Sequence, residues 1–328
     1  MDCMLRLVED IKILESAWER NPVLSTGLDD LRDVLSLESV DALLARGFPL
    51  PSVRLVVDGR PVPPVALAAP GRYGRSSTAR VADGAKVARR VREGATLILE
   101  DLKSHLPQVA AFADSVSAAT GYDTYCSAFL TPAGHPGVAP HHDTASVFVR
   151  QLSGAKHWRV SRPSRRWPLR ESGPGVAEEG TVLEATLRVG DCLYLPRGFV
   201  HAATAQDAPS LHLSLALRPV TWAYVLRKAL DLAAERREEL REALPPAFAG
   251  VDAARLLPER GAAFAACLEE LAASGGFAAL AGALRPAAGT PGALLDAVNG
   301  QAAQANGPAK DAAKGRANGV VSGAGGPR

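Results

Sequence analysis

Apolar residues recur at helical spacing over residues 4–20 and again over 28–46, where Leu28, Leu31, Val34, Leu35, Leu43 and Leu44 share one stripe. This spacing predicts two N-terminal helices, each with one face to bury. Val53-Arg54-Leu55-Val56-Val57 ahead of Asp58-Gly59-Arg60 predicts a strand entering a hairpin turn. Residues 61–84, rich in Pro and Gly, read as a long loop, suited to covering an active-site mouth. Helical spacing returns over 85–92 and 106–120. From Asp123 to about Leu217 the pattern becomes short strand-like runs separated by turn residues, the signature of a β-barrel or sandwich. Past Pro219 it is helical again, through Val225, Leu226, Ala229, Leu230, Leu232 and Ala233, and two Ala-rich stretches, 261–274 and 276–284, predict a further helical pair. From Asn299 onward Gly, Ala, Asn, Pro and Lys show no apolar period, so the segment cannot bury enough surface to offset the entropy of ordering. The expected organisation is a helical and loop region over 1–120, a β core over 121–219, a helical region over 220–290 and a disordered tail over 291–328.

Composition narrows the classes. With 328 residues and 47% hydrophobic content, the chain can bury a sizeable core, and its length suggests about two domains. Lys+Arg of 37 against Asp+Glu of 35 leaves a net charge of +2, which argues against a protein whose affinity rests on many phosphate contacts, and no direct nucleic-acid binding is expected. The densest basic run, Lys86 to Arg92 with Arg89 and Arg90, reads as a solvated helix face. Cys3, Cys126, Cys192 and Cys267 form no Cys-x-x-Cys pair, so neither a zinc knuckle nor a disulfide framework is indicated. Charges at Asp2, Arg6, Glu9 and Asp10, and the lack of any run of eighteen uncharged apolar residues, support neither a signal peptide nor a membrane span, and a cytoplasmic location is expected.

The chemistry concentrates in two short motifs. Pro140-His141-His142-Asp143 is followed, sixty residues after His141, by Pro196-Arg197-Gly198-Phe199-Val200-His201. If the first motif is a strand, His141 and Asp143 face the same way and His142 faces the other. His201 from a distant strand would then complete a two-histidine, one-carboxylate metal site with open coordination positions. Lys156 follows a turn at Gly154 between runs 146–152 and 157–160. A hairpin there would bring its ammonium to the back of the pocket, where it could pair with the distal carboxylate of 2-oxoglutarate. Among the other histidines, His142 and His157 read as structural or exposed, the latter beside Trp158, read as core, and His105 and His135 are isolated. His212 shares a strand face with Ser214 and Ala216, opposite Leu211, Leu213, Leu215 and Leu217; it lines the site if that face looks inward. Arg197 is either a substrate contact or a turn stabiliser.

These residues carry a resemblance. Phe129-Leu130-Thr131-Pro132, Gly137-Val138-Ala139-Pro140-His141-His142-Asp143, Gly154-Ala155-Lys156-His157-Trp158-Arg159-Val160, the run Gly190 to His201 and Ser210-Leu211-His212-Leu213-Ser214 resemble the JmjC/cupin-type ribosomal oxygenases and their bacterial relatives, over roughly residues 15–225. Trp18-Glu19-Arg20-Asn21-Pro22 and Gly94-Ala95-Thr96-Leu97 sit where that family has comparable residues. The resemblance implies an α+β fold with a mainly β core, a double-stranded β-helix flanked by N-terminal helices and a C-terminal helical region. It also implies Fe(II), 2-oxoglutarate and dioxygen, with His141, Asp143 and His201 as metal ligands, Lys156 as the co-substrate's partner, and Thr131, Ser127 and His212 as further candidates for co-substrate contact. The implied activity is hydroxylation of a side chain in a protein or peptide, a ribosomal protein or a peptide natural-product precursor, by a homodimer joined through its C-terminal helices. The chain departs from the family at Ser127 and Phe129, where Asn and Tyr are frequent, and residues 261–284 leave little room for the family's winged-helix domain. A zinc cupin acting as isomerase or hydrolase, and a cupin binding module without turnover, are the alternative readings.

Overall fold

The computed structural model describes residues 2–50, 52–69, 81–163, 165–172, 176, 180–244, 246, 253–275 and 282, which all fall in one compact unit, Met1–Pro286. The predicted tail over 291–328 lies outside the described residues, as do 70–80 of the predicted loop and most of 276–284.

The first predicted helix is two, α1 (Asp2–Leu5) and α2 (Ile11–Ala17), because the Asp10 carboxylate accepts the Lys12 N–H at 2.8 Å and starts a new helix there. The second is shorter than its apolar stripe. Leu31 adopts φ +54°, which no helix continues through, and α3 (Leu37–Ala45) begins only at the Ser36 cap. Strand β1 (Val23–Ser25) was not legible, being three residues long. Strand β2 (Val53–Val57) turns at Asp58-Gly59 into β3 (Arg60–Pro61) as expected. A 3-10 turn (Pro64–Leu67) and the two-residue strands β4 (Ala68–Ala69) and β5 (Val81–Ala82) follow. Then come α4 (Gly84–Arg92), β6 (Thr96–Leu99) and α5 (Pro107–Thr120). β6 escaped prediction because all four of its residues are buried, so it lacks the alternation that marks a half-exposed strand.

The predicted strand region supplies β7 (Thr124–Thr131), β8 (Ser146–Ser153), β9 (Ala155–Ser161), β10 (Thr181–Arg188), β11 (Cys192–Leu195), β12 (Val200–Ala205) and β13 (Ser210–Leu217). They form an antiparallel sheet in the order β1-β11-β8-β13-β7-β6-β2-β3 and a second in the order β10-β9-β12. This is the double-stranded β-helix architecture. The expected hairpin at Gly154 does not form: β8 pairs with β11 and β13, while β9 pairs with β10 and β12. The chain instead crosses from one sheet to the other at Gly154, whose φ of +63° and approach to Pro209 leave no room for a Cβ, which would lie 2.2 Å from the Pro209 carbonyl oxygen.

Alternation sorts the strands into two cores. Cys126 and Ala128 of β7, Phe148 and Leu152 of β8, and Leu211, Leu213, Leu215 and Leu217 of β13 pack outward against Val109, Phe112 and Val116 of α5 and the N-terminal helices. Val147, Val149, Trp158, Val160, Leu193, Leu195 and Ala216 fill the space between the sheets. After β13, α6 (Trp222–Arg236) and α7 (Ala253–Ala273) join through a small cluster of Ala229, Ala233, Cys267 and Leu271. α7 begins eight residues earlier than the first predicted Ala-rich helix. Among the described residues no helix is long and apolar enough to cross a membrane.

Candidate metal centre and its cavity

Residues 140–143 are not a regular strand, because Pro136 and Pro140 lack the N–H groups a ladder needs. The segment runs beside β12 through isolated bridges, Pro136 to Thr204 and His141 to His201. The His201 N–H donates to the His141 carbonyl at 2.9 Å, the reverse bond measures 3.3 Å, and Gly137 N–H donates to Ala203 at 2.8 Å. The outcome predicted from alternation still holds locally. His141 and Asp143 turn inward, while His142 turns away, its Nε2 lying 3.3 Å from the Arg170 carbonyl.

His141, Asp143 and His201 bring one ligand atom each to within 4.8 Å of one another. The His141 Nε2 lies 3.7 Å from one carboxylate oxygen of Asp143, and the His201 Nε2 lies 3.7 Å from the other. Each imidazole places Nδ1 against a carbonyl, His141 on Ala139 at 2.8 Å and His201 on Phe199 at 3.0 Å. Those bonds hold the proton on Nδ1 and leave both Nε2 lone pairs facing the carboxylate. Burial, with the neighbouring His141 adding to it, pushes the His201 imidazole down to about 4, so it is neutral and free to donate near neutral pH. Two imidazoles and a carboxylate suit a divalent ion of the iron or zinc type.

The cavity beside this centre has a volume of about 440 Å³. The register of β13 on β7 sets His212 opposite Phe129, Ser214 opposite Ser127 and Ala216 opposite Tyr125, and all six line it. The inward placement of His212 is therefore settled. Its ring stacks on Phe129 at 4.8 Å and meets the edge of Trp158 at 5.4 Å. Its Nδ1 has no partner. Burial, reinforced by the Lys156 charge, moves its pKa well below the usual value.

Lys156 reaches the cavity by a different route from the one expected. It enters from β9 in the smaller sheet, after the crossing at Gly154, and stands 2% exposed. Its Nζ donates to Thr131 Oγ1 at 2.8 Å, and Thr96 Oγ1 lies 3.2 Å from the same hydroxyl. Thr131 is thus a support behind the lysine, not part of the cavity wall. Among the described residues no carboxylate accompanies this ammonium, and burial brings it down to about 7. Trp158 is core on one side but also lines the cavity, with an unpartnered indole N–H. Sequence reasoning missed Tyr125, which lines the cavity near Asp143, and the mouth residues Arg54, Glu100, Glu171 and Ser172; the inward face of β7 could have flagged Tyr125. Arg197 is a stabiliser of its turn, with Nε on both oxygens of Glu19 at 2.8 and 3.0 Å.

Residues 103–225, which hold the three donors and most of the cavity wall, match the family model described as a JmjC domain. Human ribosomal oxygenase 1 is 42% identical over 133 residues, covering 37% of this chain and 20% of that protein. The Dictyostelium discoideum bifunctional lysine-specific demethylase and histidyl-hydroxylase NO66 is 40% identical over 128 residues, covering 36% and 25%. The chain thus spans about a quarter or less of the length of the curated relatives it matches. Escherichia coli ribosomal oxygenase YcfD aligns with a TM-score of 0.48 at 18% identity, over 81% of this chain and 67% of that one.

Proposed function

We propose that the chain is an Fe(II)- and 2-oxoglutarate-dependent oxygenase that hydroxylates a side chain in a protein or peptide. The observation that carries this reading is one cavity holding three convergent metal-type donors and, apart from them, a buried lysine with no anion beside it. Neither a zinc hydrolase nor an inert barrel gives that lysine a task. His141, Asp143 and His201 would hold the metal, which with 2-oxoglutarate and dioxygen supplies an oxidant able to hydroxylate a C–H bond, leaving succinate and carbon dioxide. Lys156, steadied by Thr131, would receive the co-substrate's distal carboxylate, a charge-assisted bond in a site shielded from water. His212 and Ser127 would border the co-substrate chain, with Phe129 offering ring surface and no hydroxyl. The cavity walls exclude water and orient the target C–H.

A protein substrate is supported by the named activities of the JmjC relatives, ribosomal oxygenase and histidyl-hydroxylase. A homodimer through α6 is the companion proposal, resting on Leu226 and Leu230, which stay exposed along that helix; light scattering on a sizing column tests it. We place the protein in the cytoplasm. The activity reading is tested by titrating 2-oxoglutarate anaerobically into Fe(II)-loaded protein and following the visible metal-to-ligand charge-transfer band. A band that saturates supports the reading, and its absence in protein that has taken up iron overturns it.

A further inference from the structure

A second, solvent-facing cavity of about 390 Å³ lies between the N-terminal segment and the β9–β10 connection, lined by Arg20, Asn21, Arg162, Arg166, Trp167 and Arg197, with Glu19 as its only carboxylate among the described residues. Glu19 is already neutralised, holding Arg197 through both oxygens and accepting the Ser146 hydroxyl at 3.1 Å. Arg20, Arg162 and Arg166 are exposed, and among the described residues none has a hydrogen-bonding or ion-pairing partner for its guanidinium. Arg165 and Arg170 lie in the same stretch and are also exposed. The sequence's densest basic run is more fully engaged: on α4, Arg89 and Arg90 share Glu93 and Lys86 donates to the Ala68 carbonyl, while Arg92 is exposed. A net charge of +2 therefore conceals, among the described residues, a local clustering of arginines around this cavity.

An aromatic ring is built into that surface. Trp167 is 50% exposed at φ +51°, a left-handed conformation that a bulky side chain adopts only under constraint. Its indole N–H donates at 3.1 Å to the carbonyl of Glu19, itself at φ +57°, and the Glu19 N–H donates to the Tyr194 hydroxyl at 3.1 Å. The following Pro168 is buried against Gly198, where a Cβ would meet it at 2.8 Å. The ring is thus held half exposed beside Arg20, Arg162 and Arg166. An acidic peptide would use the charges but has no need of a fixed ring; a nucleic-acid strand uses both, phosphates on arginine and a base on the indole.

We propose that this cavity binds single-stranded nucleic acid, with Arg20, Arg162 and Arg166 on successive phosphates, Trp167 stacking one base and the Asn21 amide meeting sugar or base edges. The site is separate from the metal centre, and its test needs no turnover. Fluorescence anisotropy of the full chain with labelled twelve-nucleotide oligo(A), as RNA and as DNA, should show saturable binding to at least one. Its log–log salt slope should be about −2, as expected for three phosphates on a single strand. R162Q/R166Q should bring the slope to about −0.7 and weaken binding at least tenfold at low salt. Trp167→Ala should weaken binding about tenfold with the slope unchanged, and Trp167→Phe should restore most of the loss. Melting curves matching wild type establish that the variants are folded; a charge variant that fails this is replaced by Arg20→Gln, which should reduce the slope by about 0.7, and a misfolded Trp167→Ala by Trp167→Leu, with the slope again unchanged. No saturable binding, equal binding by folded charge and tryptophan variants, or displacement of RNA by polyglutamate at lower concentration than by unlabelled oligonucleotide would overturn the proposal, the last in favour of an acidic polypeptide.

Discussion

The two ends of the central cavity handle charge in opposite ways. At the mouth, Arg54 and Glu100 pair at 2.6 Å with about half of the arginine and two-fifths of the glutamate exposed, and Arg218, paired with Asp123, lies over the Tyr125 ring at 4.9 Å. Such charges cancel in water and contribute little to stability. At the inner end Lys156 is buried with a single neutral hydrogen-bond acceptor, close to the unpartnered His212 Nδ1 and Trp158 Nε1. A charge isolated in this way is costly unless something arrives to pair with it. The mouth is complete as it stands, whereas the inner end is complete only with an anion in place. On the proposed function, that difference assigns the inner end to the anionic co-substrate and the mouth to the peptide substrate.

The comparison can be tested from the largest effect downward. Removing a metal donor should do most: His201→Ala is expected to weaken Mn(II) binding at least a hundredfold by calorimetry, while Lys156→Met should leave it nearly unchanged. Lys156→Met should in turn weaken 2-oxoglutarate binding roughly thirtyfold or more, since a buried charge-assisted bond contributes about 2–3 kcal/mol, and should raise the melting temperature of the free protein. Retention of full co-substrate affinity by that variant would erase the distinction between the two ends.

The pH dependence is more graded. The folded Lys156 loses its proton near pH 7 while the unfolded chain keeps it to its ordinary value of 10.5, so between those limits the unfolded state binds more protons. Stability of the free protein should therefore rise with pH across that window, and the rise should be shallower in Lys156→Met. Co-substrate affinity should fall over the same range as the ammonium is lost, which calorimetry at several pH values resolves. Smallest of all, Glu100→Gln at the mouth should change unfolding free energy by less than about 1 kcal/mol and leave co-substrate affinity within about twofold.

The elements that carry their own local signal were legible in the chain: α5, between Pro107 and the Gly121 cap, the β2 turn at Asp58-Gly59, and the strand run from Thr124 to Leu217. So was the composition of the metal centre, because His-x-Asp and a distant histidine need only inward-facing positions to meet. What the linear pattern could not convey was pairing. Gly154 reads as a hairpin turn in sequence, and only the long-range registers of β8 with β13 and β9 with β12 show that the chain changes sheets there and delivers Lys156 from the opposite wall. β6, buried on both faces, and β1, three residues long, were invisible for the same reason: their stability comes from partners far along the chain. The arginine-lined cavity is the clearest case, since Arg20 and Arg166 come within one pocket only after folding, and whether a charge is free or neutralised depends on neighbours that no sequence window contains. The chain alone thus determined which residue types were available and which faces they share, because periodicity is local, while tertiary structure decided which faces meet and which charges stay unpaired, because burial and ion pairing are set by contacts between distant segments.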